Sequence, residues 1–269
     1  MVDMAKKNII YQVDAFTGVP FKGNPAGVMI VNNKMKAARM QEIASEMNLS
    51  ETAFVIPDGR NFKIRYFTPA REVSLCGHAT LASAHVIYSI GMCKPGGTIH
   101  FKAKGGMLSV INDNNWITMN FPVYPLKKAA PPANFKTIVG FKPIEMFLSS
   151  YDWVVAIARS DNEVLSANPD FEALKASGLG HMLITAKSIR KGIDFSVRCF
   201  APSLGVNEDP VTGSAQCALT PLWNMKTGKT VFNVLQLSKR GGRLRTALVD
   251  DRVLISGKAV IVLKADMLA

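Results

Sequence analysis

The chain has 269 residues, 48% hydrophobic and 19% charged, enough for one large soluble domain or two of ordinary size. Its 32 basic and 20 acidic residues leave a net charge of +12, which favours anionic ligands. No apolar run reaches the ~20 residues of a membrane span, and MVDMAKKN lacks the apolar stretch of a secretory signal, so no membrane contact and a cytoplasmic location are expected.

Taken in chain order, NIIYQVDAF (8–16) alternates as a strand, TGVPFKGNPAG (17–27) is a Gly/Pro-rich loop, and VMIV (28–31) is a short buried strand. In 35–47, Met35, Ala38, Met40, Ile43, Ala44 and Met47 recur at helical spacing. TAFVI (52–56) and FKIRYF (62–67) read as strands, and 78–91 as a helix closed by Gly91. Residues 97–121 read as three strands with turns at GG and NDNN. The segment 123–143, with four of the 14 prolines, is the linker candidate, dividing the chain into halves 1–122 and 123–269.

The second half repeats the grammar. WVVAIA (153–158) is a strand, 171–180 a short helix, 181–187 and 194–200 strands, and 213–224 a helix that Pro221 should kink or end after Thr220. The C-terminal stretch reads as a β-meander with GG and DD turns. Strands arranged as hairpins around two buried helices indicate an α+β class rather than a Rossmann unit. Neither Gly-x-Gly-x-x-Gly nor a Walker loop is present.

Cys76, Cys93, Cys199 and Cys217 stand apart, without a C-x-x-C pair, which points to free thiols rather than a zinc ribbon or disulfide scaffold. KSIRK (187–191) and SKRGGRLR (238–245) are dense in charge but carry no interleaved aromatic residues, so solvated loops are favoured over nucleic-acid binding. No carboxylate–histidine cluster has metal-ligand spacing along the chain, and no metal is expected.

Two segments look like variations on one theme: IRYFTPAREVSLCGHATLASA (64–84) and FSVRCFAPSLGVNEDPVTGSAQCA (195–218). Each runs strand, Phe-x-Pro, polar loop, then a glycine opening a run of small residues. Two helix starts, at Gly77–His78–Ala79 and Gly213–Ser214–Ala215, would offer backbone N–H groups to an anion, with Thr212 a possible cap. Glu51, entering an apolar strand, could be a desolvated general acid/base or merely a solvated loop residue. Cys76 at a helix N-terminus could form a thiolate or be a buried core residue. His78 could donate to substrate or be structural. Asp209 suits either the second member of an acid/base pair or an Asx turn before Pro210, and Glu208 reads as solvent-facing. His85, His100 and His181 are isolated.

DAFTGVPFKGNPAGV (14–28), MNLSETAFV (47–55), FTPAREVSLCGHATLASA (67–84), FAPSLGVNEDPVTGSA (200–215) and QLSKRGGRL together resemble the phenazine-biosynthesis (PhzF-like) family over essentially the whole chain, in family order. The resemblance implies the diaminopimelate-epimerase-like fold: two pseudo-symmetric α+β halves, each a curved sheet or partial barrel around a central helix, with the last strand (about 258–265) returning to the first half. It implies cofactor-independent isomerisation of a small carboxylated metabolite, by removal and return of a C–H proton, in a homodimer. The catalytic glutamate would correspond to Glu51, and the helix-start residues to Gly77, His78, Asp209, Gly213 and Ser214. Epimerases of this fold use two cysteines, but here Asp209 stands near the second position. The chain therefore looks closer to the phenazine-biosynthesis-like-domain branch, including its mammalian members. A Cys76 thiol epimerase and a non-catalytic binding protein are the alternatives.

Overall fold

The first strand of the computed structural model, which describes residues 8–32, 34–149 and 152–268, is β1 (Ile9–Ala15), a half-polar sequence buried on nearly every residue. The chain divides into two units, one of residues 1–120 and 256–269 and one of residues 121–255.

In the first unit, β1 pairs antiparallel with β2 (Asn24–Ile30) on one side and with the last strand, β18 (Ala259–Asp266), on the other. Helix α1 (Ala37–Met47) leads to β3 (Glu51–Asp58), which lies parallel to β2, and β4 (Asn61–Phe67) pairs antiparallel with β3. On the far side of β4 come the short antiparallel β5 (Glu72–Val73) and the parallel β6 (Thr98–Ala103). β7 (Gly106–Asp113) and β8 (Trp116–Pro122) finish the meander.

Helix α2 (Gly77–Ser89) packs against β1, β2, β3 and β18 and is buried from His78 to Tyr88 except at His85. A helix apolar on all sides belongs inside a core, and small residues such as Ala79, Ala82 and Ala84 let strands approach it. Its buried hydroxyls are satisfied locally: Ser83 Oγ donates to the Ala79 carbonyl at 2.7 Å. Gly91 ends it at φ +76°, with Met92 N–H on the Ile87 carbonyl and Gly91 N–H on that of Tyr88, a left-handed closure that suits glycine.

The second unit repeats this order. β9 (Leu126–Ala129) and β10 (Glu145–Ser149) pair antiparallel, as do β10 and β11 (Val154–Ile157). β12 (Met182–Lys187) runs parallel to β11, and β13 (Phe195–Ala201) antiparallel to β12. β13 then takes the short antiparallel β14 (Val206–Asp209) and the parallel β15 (Val231–Gln236), which pairs with β16 (Gly242–Val249). β17 (Arg252–Gly257) follows. The sense of each of these pairings, from β9–β10 to β15–β16, matches its counterpart in the first unit, with β9 in the place of β18.

Two readings of the sequence are corrected, and one helix that the sequence did not announce is added. The segment 123–143 is not bare linker: it holds β9 and the helix α3 (Phe135–Val139), whose apolar face joins a core with Met146 and Val154. Helices α4 (Asp161–Ser166) and α5 (Phe171–Ala176) fill the β11–β12 connection, and the first of them shows no long apolar period. Helix α6 spans Gln216–Thr227, starting after the glycine and passing straight through Pro221. Proline removes the N–H that the Cys217 carbonyl would accept, and that carbonyl instead takes the Tyr124 N–H at 2.9 Å. An outside donor is what lets the helix continue.

Candidate functional site

Glu51 opens β3 immediately after α1, whose C-cap Asn48 sits in the left-handed region (φ +49°) and turns the chain sharply into the sheet. Cys76 is the extended N-cap residue of α2, and His78 is the second residue of that helix. The two elements meet so that His78 Nε2 lies 3.2 Å from Glu51 Oε2, with side-chain exposures of 7% and 20%. Burial pushes the His78 imidazole down, to about 3, so the ring is neutral at physiological pH. With the ring neutral, Nε2–H is the donor whenever the Glu51 carboxylate is charged, and that hydrogen bond then fixes the tautomer.

Cys76 Sγ lies 3.4 Å from Nδ1 and 4.0 Å from Nε2 of His78. A sulfur nearly equidistant from both nitrogens stands beside the ring, off the axis of either lone pair. Glu51, Cys76 and His78 thus bring three donor atoms within 4.8 Å of one another, a cluster that spacing along the chain did not reveal. Such a cluster can pass a proton between its members, and its three atom types are also ones that can hold a metal ion.

In the second unit, Asp209 closes β14 opposite Cys199, whose fully buried thiol is pushed well up by desolvation. Asp209 Oδ2 accepts from Thr212 Oγ1 at 2.5 Å, so Thr212 is a clasp on Asp209 rather than the cap expected of it. Gly213, Ser214 and Ala215 form a tight turn ahead of α6, with Gln216 N–H on the Gly213 carbonyl and Cys217 N–H on that of Ser214. The expected helix start at Gly213 is therefore displaced to Gln216.

Two supports of this loop escaped sequence reasoning. Gln236 is fully buried; its Oε1 accepts Thr212 N–H at 2.9 Å and its Nε2 donates to the Asp209 carbonyl at 2.8 Å. Ser238 Oγ donates to the Pro210 carbonyl at 2.6 Å. Both belong to the QLSKRGGRL motif, which was legible as a motif but not as a brace.

A further repeat lies behind each helix start. Arg65 forks onto Glu72 with two bonds of 2.8 Å, and its guanidinium stands 5.2 Å from the Phe67 ring centre. Arg198 forks onto Glu208 at 2.7 and 3.0 Å and stands 4.7 Å from that of Phe200. Glu208 is therefore a paired, half-buried group and not the solvent-facing residue expected. The Arg65 fork holds the Glu72 carboxyl below its ordinary range. In each unit, Arg-x-Phe-x-Pro with a following glutamate ties the strand to the hairpin that precedes the site segment.

His85 is half-buried, and burial lowers its affinity for protons. His181 stacks on Trp153 with ring centres 3.4 Å apart, and His100 Nδ1 contacts Ser109 Oγ at 3.0 Å. None of the three joins the Glu51 cluster.

The family model for the phenazine biosynthesis-like protein family, PhzC-PhzF, matches residues 13–265. An uncharacterised isomerase of Halalkalibacterium halodurans is 42% identical over 96% of this chain and 98% of its own length. The crystal structure of a PhzF-family phenazine biosynthesis protein from Enterococcus faecalis is 36% identical and superposes at TM-score 0.93 over 98% of this chain and all of that one. A hydroxyproline epimerase of Agrobacterium vitis, 11% identical, shares the fold alone at TM-score 0.62, over 97% of this chain and 92% of its own. With its α+β halves in the epimerase-like fold, this chain belongs to the phenazine-biosynthesis-like (PhzC-PhzF) family of isomerases.

Proposed function

We propose that the protein is a cofactor-independent isomerase that removes and returns a C–H proton on a small carboxylated metabolite, with Glu51 as the acid/base. The observation that carries this reading is the contact of the half-buried Glu51 carboxylate with the buried His78 imidazole at the N-terminus of α2. A carboxylate partly withdrawn from water and oriented by a neutral imidazole N–H can accept a proton and hold it for return. The N–H groups at the start of α2 favour negative charge there, both the substrate's carboxylate and the charge developing beside it. The repeated segment of the second unit offers its own polar groups at Gly213 and Ser214, with Asp209 held by its Thr212 clasp. The family likeness supports a homodimer, and the composition a cytoplasmic location.

Deuterium wash-in tests the reaction. The protein is incubated in D₂O with a panel of amino, hydroxy and unsaturated carboxylic acids, and substrate C–H exchange is followed by NMR. Catalysed exchange on at least one member supports the reading, and its absence across a panel broad in side-chain size leaves the binding-protein alternative. A second reading, with Cys76 as the acid/base, is favoured by the 3.4 Å approach of its thiol to His78. Exchange that survives in Cys76→Ala and disappears in Glu51→Gln excludes it.

A further inference from the structure

Tyr66 is the largest fully buried side chain of the first unit, and the proposed proton transfer makes no use of its hydroxyl. That hydroxyl lies 2.6 Å from Thr80 Oγ1, inside the core. Thr80 Oγ1 donates to the Cys76 carbonyl at 2.6 Å, which also accepts Thr80 N–H at 3.1 Å. A threonine hydroxyl has one proton, already committed to Cys76, so Tyr66 must be the donor to Thr80. The result is a directed chain: Tyr66 O–H to Thr80 O–H to the Cys76 carbonyl.

The Cys76 carbonyl and the Gly77 N–H belong to one planar trans peptide, in which C=O and N–H point in opposite directions. Two bonds that hold the carbonyl along the helix interior therefore hold the Gly77 N–H outward at the helix start. Each bond in such a chain also polarises the next, most of all where water is absent.

We infer that Tyr66, acting through Thr80, is a positioning residue that aims and strengthens the Gly77 N–H as an anion donor. This inference rests on the reading of the α2 start as the carboxylate site. The link to the peptide plane, however, can be measured without any ligand. Tyr66 touches no reacting atom under this scheme and works only through the peptide that it orients.

The test uses the full-length ¹⁵N-labelled protein in wild-type, Tyr66→Phe, Thr80→Val and Thr80→Ser forms. The Gly77 amide proton shift is recorded free and during titration with sodium oxalate. In wild type and Thr80→Ser the free Gly77 proton should resonate downfield. In Tyr66→Phe and Thr80→Val it should move upfield, with oxalate binding about three- to tenfold weaker, the loss of one hydrogen bond's worth of affinity. Unchanged Gly77 shifts in either folded variant would overturn the inference, since a merely structural tyrosine leaves that proton alone. If oxalate fails to move Gly77 in the wild type while the free shift still responds to Tyr66→Phe, the relay stands and the carboxylate reading falls. Should Tyr66→Phe not fold, Thr80→Val against Thr80→Ser decides the matter alone.

Discussion

His78 Nε2 stands 3.2 Å from Glu51 Oε2, joining the second residue of a buried helix to the first residue of a strand 27 positions earlier in the chain. Neither residue is remarkable locally. Together they form a desolvated donor–acceptor pair at the positive end of α2.

Glu51→Gln keeps the size of the side chain and an oxygen for the His78 N–H, but it cannot hold a proton in exchange. Its rate of substrate deuterium exchange should fall by about 10²- to 10⁴-fold, the usual contribution of a positioned acid/base, while its melting temperature stays near that of wild type. Exchange within a few-fold of wild type would remove Glu51 from the proposed role.

Acid should weaken the fold in a defined window. Unfolded His78 binds its proton near pH 6.5, whereas burial delays protonation of the folded form to about 3. Desolvation of the buried ring is the cause of this shift. Between those values the unfolded state holds more protons, so stability rises with pH and is lost on acidification, by up to ~1.4 kcal/mol per pH unit at the steepest. His181, pushed down to about 4 by burial, adds a slope of the same sign. Urea midpoints at pH 7.5 and 5.0 should separate less in His78→Asn than in wild type. An equal separation would contradict the assignment.

The paired forks predict a graded response to Arg→Lys. Lysine cannot span both carboxylate oxygens. Arg198 also donates from Nη1 to the Val164, Leu165 and Ala167 carbonyls at 3.3, 3.1 and 2.6 Å, and its side chain is 15% exposed against 31% for Arg65. Arg198→Lys should cost about 1–3 kcal/mol and Arg65→Lys about 1 kcal/mol or less. Chemical denaturation measures both, and the reverse order would show that the carbonyl contacts carry little weight.

Gly27 has no room for a side chain, because a Cβ there would lie 2.7 Å from Thr52 Oγ1 and 3.0 Å from Thr52 Cγ2. Thr52 is fully buried, follows Glu51 directly, and its Oγ1 has no hydrogen-bond partner. Gly27→Ala should push on β3, costing about 1–3 kcal/mol by overpacking and slowing exchange by shifting Glu51. Thr52→Ala clears the clash without breaking a hydrogen bond, so the double variant should regain most of both losses. A double variant no better than Gly27→Ala would place the strain elsewhere.

Much of this architecture is written locally. Alternation placed β1, β4 and the 97–121 meander, and the small residues after Gly77 marked α2, because strand and helix periods are properties of neighbouring residues. The twin segments announced two halves of one design, and five motifs in order identified the family and with it the fold. Glu51 and His78 were both nameable as candidates. Their union was not, since a hydrogen bond across 27 residues depends on where the sheet carries β3 past the helix start. The same holds for the Tyr66–Thr80–Cys76 chain, for Gln236 bracing Asp209 and Thr212, and for Glu208, whose partner Arg198 sits on another strand. Pro221 shows the reason most plainly. Local rules end the helix there, and the Tyr124 N–H, delivered by a distant segment, keeps it intact. The sequence by itself determined the elements, the repeat and the family. Which polar groups are buried together, and therefore which can exchange a proton or hold an anion, was decided by the tertiary fold, because desolvation and hydrogen-bond direction arise only from packing.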